Sequence, residues 1–326
     1  MTESRQVVVT EFGSPEVMSV VTKELAPPGP GEAQIRHAAI GFNFIDIYQR
    51  KGLYPLSLPT GLGFEAAGVV DAVGAGVAGI EPGERVAYMN AGVGAYSDRR
   101  NVPAEKLVKL PDEISFESAA TLLFKGLTAQ YLLRATHAVQ PGELLLVHSA
   151  AGGVGQILTR WATALGATVI GTTGSPHKTA AATAAGCAAV IDLNGPDWPQ
   201  AFLEATGGRK ARVVYDAVGK ETLLKSLDCA APFGLVVSYG AASGKPPAID
   251  PELLGQKGGL FLTRPSVFPH NADAHALRAH AADLFDAIAR NHVRVDIGQR
   301  FSLEQIVDAH RVAEDRRAEG AILIVP

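Results

Sequence analysis

The sequence predicts an α/β protein in which a compact, mostly-β part is followed by a doubly wound parallel sheet. Short β-rich runs broken by proline and glycine fill the first third of the chain, whereas strand-like and helix-like segments alternate from Pro141 onward. A strongly apolar run also ends in the glycine-rich turn HSAAGGVGQ. With 326 residues, of which 47% are hydrophobic, the chain is long enough to bury one or two sizeable cores.

The N-terminal part consists of predicted strands that turn residues separate, without a long helical period. The strand candidates are, in order, RQVVVTEFGSPE, MSVVTKELAPPGPGE, AQIRHAAIGF, AAGVVDAVGAGV, ERVAYM and KLVKLP. The segment FESAATLLFKGLTAQYLLRAT then has helical spacing and bridges the two parts.

The second part alternates strands with helices, which predicts a parallel sheet. Its strand candidates are ELLLVHS, ATVIGTT, AAVIDL, RVVYDAVG, GLVVSYG and GLFLTR, and its helices include KTAAATAAG and KETLLKSLDCAA. The later segment HALRAHAADLFDAIARNH is a predicted helix, and the chain ends in a short apolar strand that we expect to return to the first part. We therefore expect one domain of residues 1–125 and 266–326 and a second of residues 126–265.

Charge and cysteine content exclude several classes of function. The net charge is −4 and no block of lysine or arginine occurs, so we expect no nucleic-acid partner. No apolar run reaches the roughly 18 residues of a membrane span, and the charged start MTESRQVVVTEFG is not a signal peptide, so a soluble cytoplasmic protein is expected. Cys187 and Cys229 form no C-x-x-C pair, which favours small core residues over a disulfide or a zinc site.

The glycine-rich turn predicts a site for an anion. Four aliphatic residues, Leu144 to Val147, indicate a strand covered on both faces, and an apolar-periodic helix is expected to begin at Gln156. A strand, a bare turn and a helix N-terminus together present unpaired N–H groups to a ligand. Of the fingerprint G-x-G-x-x-G, Gly152 and Gly155 match the last two glycines and Ala150 replaces the first; the strand–turn–helix context predicts a dinucleotide site.

The end of the following strand favours NADPH over NADH. NAD enzymes place an acidic residue about 20 residues beyond the glycines to bind the ribose 2′-hydroxyl. Here the stretch is GTTGSPHK, so Thr173, Gly174 and Ser175 leave room for a 2′-phosphate and Lys178 can pair with it. The alternative for Lys178 is a solvated lysine in a first helical turn. Arg316 is a candidate second cation, although it also fits an ordinary surface arginine.

Several motifs together resemble a known family. They are NFIDIYQRKGLYP, LGFEAAGVVDAVGAGV, LLFKGLTAQYLL, HSAAGGVGQ, VVYDAVG, QKG and TRPS, and they span nearly the whole chain. The chain resembles the medium-chain dehydrogenases/reductases and, within them, the zinc-free quinone oxidoreductases related to zeta-crystallin, above all the bacterial NADPH:quinone reductases. The resemblance implies a GroES-like catalytic domain, a Rossmann NADPH-binding domain and a substrate cleft between them.

The same resemblance argues against a metal. Zinc-dependent relatives place a cysteine in the GFNF region and a histidine in a G-H-E triplet, whereas this chain has Asn43 and Gly63-Phe64-Glu65 there. Asparagine and phenylalanine cannot supply the thiolate and imidazole ligands, and the four-cysteine lobe is missing. Glu65 is expected to be a structural hydrogen-bond acceptor. We expect no metal, which disfavours alcohol dehydrogenation.

The resemblance also assigns roles to individual residues. Asn43, Tyr48 and Tyr54 are the catalytic candidates, and the tyrosines fit amphipathic packing equally well. The cofactor candidates are Asn43, Lys125, Thr128, Gly152, Gly153, Val154, Thr173, Gly174, Ser175, Lys178, Tyr239, Gly240, Leu262, Thr263 and Arg316. Asp46 and Asp216 are interpreted as cap or turn residues. Leu193 and Ala217 depart from the family pattern and are expected to weaken binding at the adenosine end.

Three functions remain open from the sequence. The first is NADPH-dependent quinone reduction, by hydride or one-electron transfer, which needs little polarisation because the product is aromatic. The second is NADPH-dependent reduction of α,β-unsaturated carbonyls in the same zinc-free cleft, and the third is non-enzymatic NADPH binding. The expected partner is a second copy of the chain, because the apolar edge strand in QKGGLFLTRPS invites self-association and relatives form dimers through it.

Overall fold

The computed structural model describes residues 2–315 and 320–326. The strands are β1 Thr2–Val9, β2 Met18–Leu25, β3 Glu32–Gly41, β4 Glu65–Val73, β5 Arg85–Met89, β6 Arg99–Pro103, β7 Leu107–Lys109, β8 Leu144–Val147, β9 Thr168–Thr173, β10 Ala189–Asp192, β11 Ala211–Asp216, β12 Ala230–Ser238, β13 Phe261–Thr263, β14 Ile297–Ser302 and β15 Ala321–Val325. The α-helices are α1 Phe44–Arg50, α2 Phe116–Tyr131, α3 Gly153–Ala164, α4 Thr179–Ala184, α5 Trp198–Ala205, α6 Leu223–Cys229, α7 Pro251–Gln256, α8 Val267–His270, α9 Ala274–Ala289 and α10 Ile306–Glu314. A π-helical turn, Leu132–Thr136, follows α2.

The chain divides into two compact units. The first unit contains the residues up to Lys125, together with Asn271–Ala289 and the chain from Arg294 onward; the second contains Gly126–His270 and Arg290–Val293. The first unit contains a seven-stranded sheet and a two-stranded sheet of β1 and β2, and the second unit contains a six-stranded sheet, so the units are described separately below.

The first unit is built on a mainly antiparallel sheet with the strand order β14-β15-β3-β4-β5-β7, in which β6 also pairs with β3. Strand β15 pairs with β3 antiparallel, so the predicted return of the C-terminal strand to the first part is confirmed. Ile35, Ile40, Tyr88 and Leu107 are fully buried in its core. Strand β6 was not predicted, because its residues RRNVP are charged and do not alternate as a half-buried strand does.

The second unit is a parallel sheet with the strand order β10-β9-β8-β11-β12-β13. All four residues of β8 are buried, as the continuous apolar run predicts for a strand with helices on both faces. The strand order reverses between β8 and β11, and in such sheets ligands bind at the carboxyl ends of the strands around that point. The predicted α/β class, with one mostly-β part and one doubly wound parallel sheet, is confirmed.

Candidate active site

The glycine-rich turn lies between β8 and α3, where the sequence predicts it. Helix α3 begins at Gly153 with Gly152 as its N-cap residue, so the predicted start at Gln156 was three residues late. The error arose because the first turn, Gly153 to Gly155, carries almost no apolar side chain to reveal the helical period. Gln156 N donates to Gly152 O at 2.9 Å, so the preceding N–H groups of Gly153, Val154 and Gly155 are the orphan donors of the helix start.

Backbone contacts close the turn tightly. Ser149 takes the left-handed conformation with φ 54°, Gly152 N donates to Ser149 O at 2.8 Å and Ala150 N donates to Thr172 O at 3.0 Å. A Cβ atom on Gly155 would lie 2.1 Å from Ser149 O, so only glycine fits there. Because Ser149 rather than Ala150 takes the left-handed backbone, the alanine in place of the first fingerprint glycine is tolerated. The turn can hold a pyrophosphate on N–H groups at the positive end of α3.

The end of β9 presents small residues and a lysine. Thr173 is buried, Gly174 is exposed, and the short turn Pro176–Lys178 follows. Lys178 is exposed. Among residues 2–315 and 320–326, it makes no ion pair. Asn194 Nδ2 donates to Gly174 O at 2.9 Å, which fixes this loop and was not predicted, because the signal in the sequence is a single asparagine after β10. This surface can accept a phosphate group beside Lys178.

The predicted residues on the other side of the sheet gather at the ends of β12 and β13. Leu262 and Thr263 pair in register with Val236 and Val237 of β12, and Tyr239 and Gly240 follow that strand. Arg264, which the sequence reasoning missed, donates from Nη1 to Ser238 Oγ at 3.1 Å and to Gly240 O at 3.4 Å. The sequence signal that could have identified Arg264 is its position directly after β13, one of the last strands of the parallel sheet. Thr128 lies buried on α2.

Two candidates of the first unit, Asn43 and Lys125, form a hydrogen-bonded cluster with Glu65. Asn43 Nδ2 donates to Glu65 Oε1 at 2.8 Å, and Lys125 Nζ donates to Asn43 Oδ1 at 2.8 Å and to Phe42 O at 2.9 Å. Lys125 Nζ also lies 3.5 Å from Glu65 Oε1, while Phe124 N donates to Glu65 Oε2 at 2.7 Å. Glu65 is therefore a structural acceptor, as expected, and it fixes the orientation of the Asn43 amide.

Burial governs the charges in this cluster. Glu65 is completely buried, and this burial raises its pKa above the ordinary range, against the opposing effects of the Lys125 charge and the Asn43 hydrogen bond. The Lys125 side chain is 12% exposed. At this place the side chains that could contact a metal are one amide, of Asn43, and one carboxylate, of Glu65, and both face the Lys125 ammonium group. Among the residues described, no group of three or more His, Cys, Asp or Glu side chains could hold a metal.

Asp46 has a capping role in α1, as the sequence suggests: it is the third helical residue of a capping box whose N-cap residue is Asn43. Its Oδ2 atom accepts from Asn43 N at 2.9 Å and from Tyr96 Oη at 2.7 Å. Burial raises the pKa of Asp46 to about 7, although both hydrogen bonds oppose that shift. The cap fixes the start of the helix that carries Tyr48.

The two tyrosine candidates pack against each other. Tyr48 and Tyr54 have ring centroids 5.6 Å apart at 83°, an edge-to-face contact, and burial raises the pKa of Tyr48. Tyr54 is 47% exposed, and Phe44 and Leu53 beside it are 57% and 65% exposed. We refer to the exposed side chains of Phe44, Leu53 and Tyr54 as the apolar surface around α1. Of the remaining candidates, Arg316 lies outside the described residues.

Within the described ranges, no helix has the length and apolar character to span a membrane.

The fold and the turn define an oxidoreductase of the medium-chain dehydrogenase/reductase class. The "Zinc-binding dehydrogenase" family model matches residues 153–268, and the "Alcohol dehydrogenase GroES-like domain" model matches residues 29–112. The chain is 45% identical to the quinone oxidoreductase of Pseudomonas aeruginosa over 99% of this chain and 100% of that protein. It therefore belongs to the quinone oxidoreductase family.

Two further relatives bear on chemistry. The crystal structure of Escherichia coli quinone oxidoreductase complexed with NADPH matches with a TM-score of 0.95 and 44% identity, over 99% of this chain and 100% of that one. The 2-haloacrylate reductase of a Burkholderia species is 40% identical over 98% of each chain.

Proposed function

We propose that this protein reduces quinones with NADPH, without a metal. The observation that carries the cofactor choice is the end of β9, where Thr173, Gly174 and Ser175 replace the usual acidic residue and exposed Lys178 is available to a 2′-phosphate. The Escherichia coli relative that binds NADPH supports the same choice. Bound NADPH supplies the hydride.

The residues of the chain hold the reactants. The N–H groups of Gly153 and Val154, after the N-cap Gly152, bind the pyrophosphate, and Lys178 pairs with the 2′-phosphate. The nicotinamide end is assigned to Thr128, Tyr239, Gly240, Leu262 and Thr263 of the second unit.

The quinone binds on the apolar surface of Phe44, Leu53 and Tyr54, which is the most exposed cluster of large apolar side chains around α1. The hydroxyl groups of Tyr48 and Tyr54 are the donors that polarise a quinone oxygen as negative charge develops on it. Aromatisation of the hydroquinone product makes stronger acid catalysis unnecessary.

A second candidate activity is the reduction of α,β-unsaturated carbonyls, in which the hydride goes to carbon. The observation that favours it is the 40% identity to a 2-haloacrylate reductase, whose substrate contains a polarised carbon–carbon double bond.

Anaerobic stopped-flow oxidation of NADPH, and separately of NADH, by 1,4-benzoquinone and by a 2-enal tests both activities. We expect faster oxidation by the quinone and a preference for NADPH. Faster reaction with the enal would favour the second activity, and no turnover with either acceptor would contradict both.

The Lys178→Ala variant tests the cofactor choice. A charge-assisted hydrogen bond contributes about 1.5–3 kcal/mol, so NADPH affinity should fall by about tenfold or more while NADH affinity stays the same. Lys225→Ala, which removes an exposed lysine on α6 of the same unit, is the matched control. An equal loss for both nucleotides in Lys178→Ala would remove this lysine from the phosphate site.

We also infer a homodimer that forms through β13. This strand lies at the edge of the parallel sheet, and Phe261 on it and Phe233 on the adjacent β12 are 61% and 67% exposed. Unpaired strand edges with apolar side chains favour pairing with a second copy. Phe261→Glu should convert the dimer to a monomer in size-exclusion chromatography with light scattering, whereas a monomeric wild type would contradict the inference.

A further inference from the structure

A chain of buried hydrogen bonds runs directly beneath the glycine-rich turn. His148 follows β8 and precedes Ser149, the left-handed residue of the turn. Its Nδ1 atom lies 2.9 Å from Thr172 Oγ1 on β9, and its Nε2 atom lies 3.0 Å from Ser226 Oγ on α6. Ser226 Oγ in turn donates to Asp216 Oδ2 at 2.9 Å. All four side chains are completely buried.

The direction of the hydrogen bonds at Asp216 fixes the direction of the whole chain. Asp216 Oδ1 accepts from Val218 N at 2.8 Å, Gly219 N at 2.9 Å and Thr222 Oγ1 at 2.8 Å, so with Ser226 the carboxylate has four donors. These four donors suit an ionised acceptor. The single hydroxyl proton of Ser226 is thereby committed to the carboxylate.

His148 is then restricted to one tautomer. Because the Ser226 proton points at Asp216, Ser226 Oγ can only accept from the imidazole, which requires a proton on Nε2. Nδ1 is left as the acceptor for the hydroxyl proton of Thr172. Burial lowers the pKa of His148 below its ordinary value, against the attraction of the Asp216 charge, so the ring stays neutral near neutral pH.

The same residues hold the backbone of the turn. His148 N donates to Tyr215 O at 3.0 Å, and Thr172, which bonds the imidazole through its hydroxyl, accepts from Ala150 N through its carbonyl oxygen at 3.0 Å. The imidazole also contacts Trp198 edge-on, with centroids 5.0 Å apart. Residues on both sides of Ser149 are therefore tied to β9 and β11, and Ser149 O is the atom against which Gly155 packs.

We propose that His148, as the neutral tautomer protonated on Nε2, is a positioning residue that fixes the phosphate-binding turn through Thr172 and the Ser226–Asp216 pair. The proposal rests on the proposed use of a dinucleotide cofactor. His148 acts on the shared pyrophosphate turn and not on the 2′-phosphate surface at Lys178. Loss of its hydrogen bonds therefore weakens NADPH and NADH by the same factor.

Thr172→Val tests this positioning role, because valine keeps the shape of threonine and removes the hydroxyl donor to Nδ1. One net hydrogen bond of about 1 kcal/mol corresponds to a factor of about five in an equilibrium constant, so both nucleotides should bind about fivefold more weakly and the ratio of their affinities should not change. Thr159→Val is the matched control: Thr159 is also completely buried in the second unit, but it lies outside this hydrogen-bonded chain. The control should leave both affinities unchanged.

Urea unfolding of the same variants separates positioning from general stability. Thr172→Val and Thr159→Val should lose similar stability while only the former loses affinity. Unchanged affinities in Thr172→Val, or a change in the NADPH to NADH ratio, would overturn the proposal. A wild type that binds neither nucleotide would instead overturn the proposed function and, with it, the role of the turn.

A second measurement needs no variant to fold. Long-range proton–nitrogen correlation spectra of the ¹⁵N-labelled wild type distinguish the two neutral imidazole tautomers and the imidazolium ion. The His148 ring, identified by sequential assignment, should carry its proton on Nε2 and keep that form on acidification after the exposed histidines have become charged. His37, whose Nδ1 atom lies 2.7 Å from Ser97 O, should carry its proton on Nδ1 instead. A proton on Nδ1 of His148, or an imidazolium at that residue at neutral pH, would overturn the assignment of the hydrogen-bonded chain.

Discussion

Replacing Asp46 by asparagine should remove a large pH dependence from the stability of this protein. Asp46 is completely buried at the start of α1, and its Oδ2 atom accepts hydrogen bonds from the Asn43 backbone N–H and from the Tyr96 hydroxyl. An asparagine side chain offers one oxygen to the same two donors. Its nitrogen takes the place of Oδ1, for which no hydrogen-bond partner exists among the residues described.

The magnitude follows from the pKa of Asp46, which burial raises from 3.8 to about 7. Between these values the native protein retains a proton that the unfolded chain has released, so the stability contributed by this group is present at low pH and is lost as the pH rises through 7. At 1.36 kcal/mol per pK unit, the loss between pH 5 and pH 8 is about 2.5 kcal/mol.

Urea unfolding at several values from pH 5 to pH 8 measures this effect. The difference in unfolding free energy between Asp46→Asn and the wild type should shift by about 2.5 kcal/mol in favour of the variant across that range. Asp112→Asn, at a fully exposed carboxylate, is the control and should show no comparable shift. Parallel pH profiles for Asp46→Asn and the wild type would refute the assignment of a raised pKa to Asp46.

Two other substitutions test separate parts of the site. Gly155→Ala places a Cβ atom 2.1 Å from the Ser149 carbonyl oxygen, so it should lower the unfolding free energy in urea by about 1–3 kcal/mol and abolish nucleotide binding. The control is Gly255→Ala in α7, where an added Cβ atom would have no atom within 4 Å. This control should be neutral or stabilising by up to about 1 kcal/mol. Tyr54→Phe should lower the turnover number for quinones about fivefold, the value of one hydrogen bond of about 1 kcal/mol, and unchanged turnover with every quinone would reduce Tyr54 to a packing role.

The sequence predicted those parts of the fold in which local pattern and tertiary environment agree. The continuous apolar run of β8 could only be a strand covered on both faces, and the apolar C-terminal segment could only be satisfied in a sheet. The polar strand β6 was not predicted, because backbone hydrogen bonds hold it to β3 and these bonds leave no hydrophobic period in the sequence. The start of α3 was predicted wrongly for a related reason: glycines have no side chain and so contribute nothing to the hydrophobic period of a helix.

The candidate site was predictable where chemistry is local in the chain. The turn at Gly152 and the missing acid after β9 both lie within short segments, so spacing was enough to find them. The partners of His148 lie 24 and 78 residues away, on β9 and α6. Spacing alone carries no signal for such contacts, since only the packing of β8 beside β9 and against α6 brings these side chains together.

The cluster of Asn43, Glu65 and Lys125 has a consequence for how metal-dependent chemistry is gained or lost in this fold. Asn43 hydrogen-bonds both partners of an ion pair, in which the Lys125 ammonium faces the buried Glu65 carboxylate. Placing a cysteine at Asn43 and a histidine at Phe64 to bind a divalent cation would therefore set that cation against the positive charge of Lys125. Removing Lys125 as well would leave the buried Glu65 carboxylate without its counter-ion.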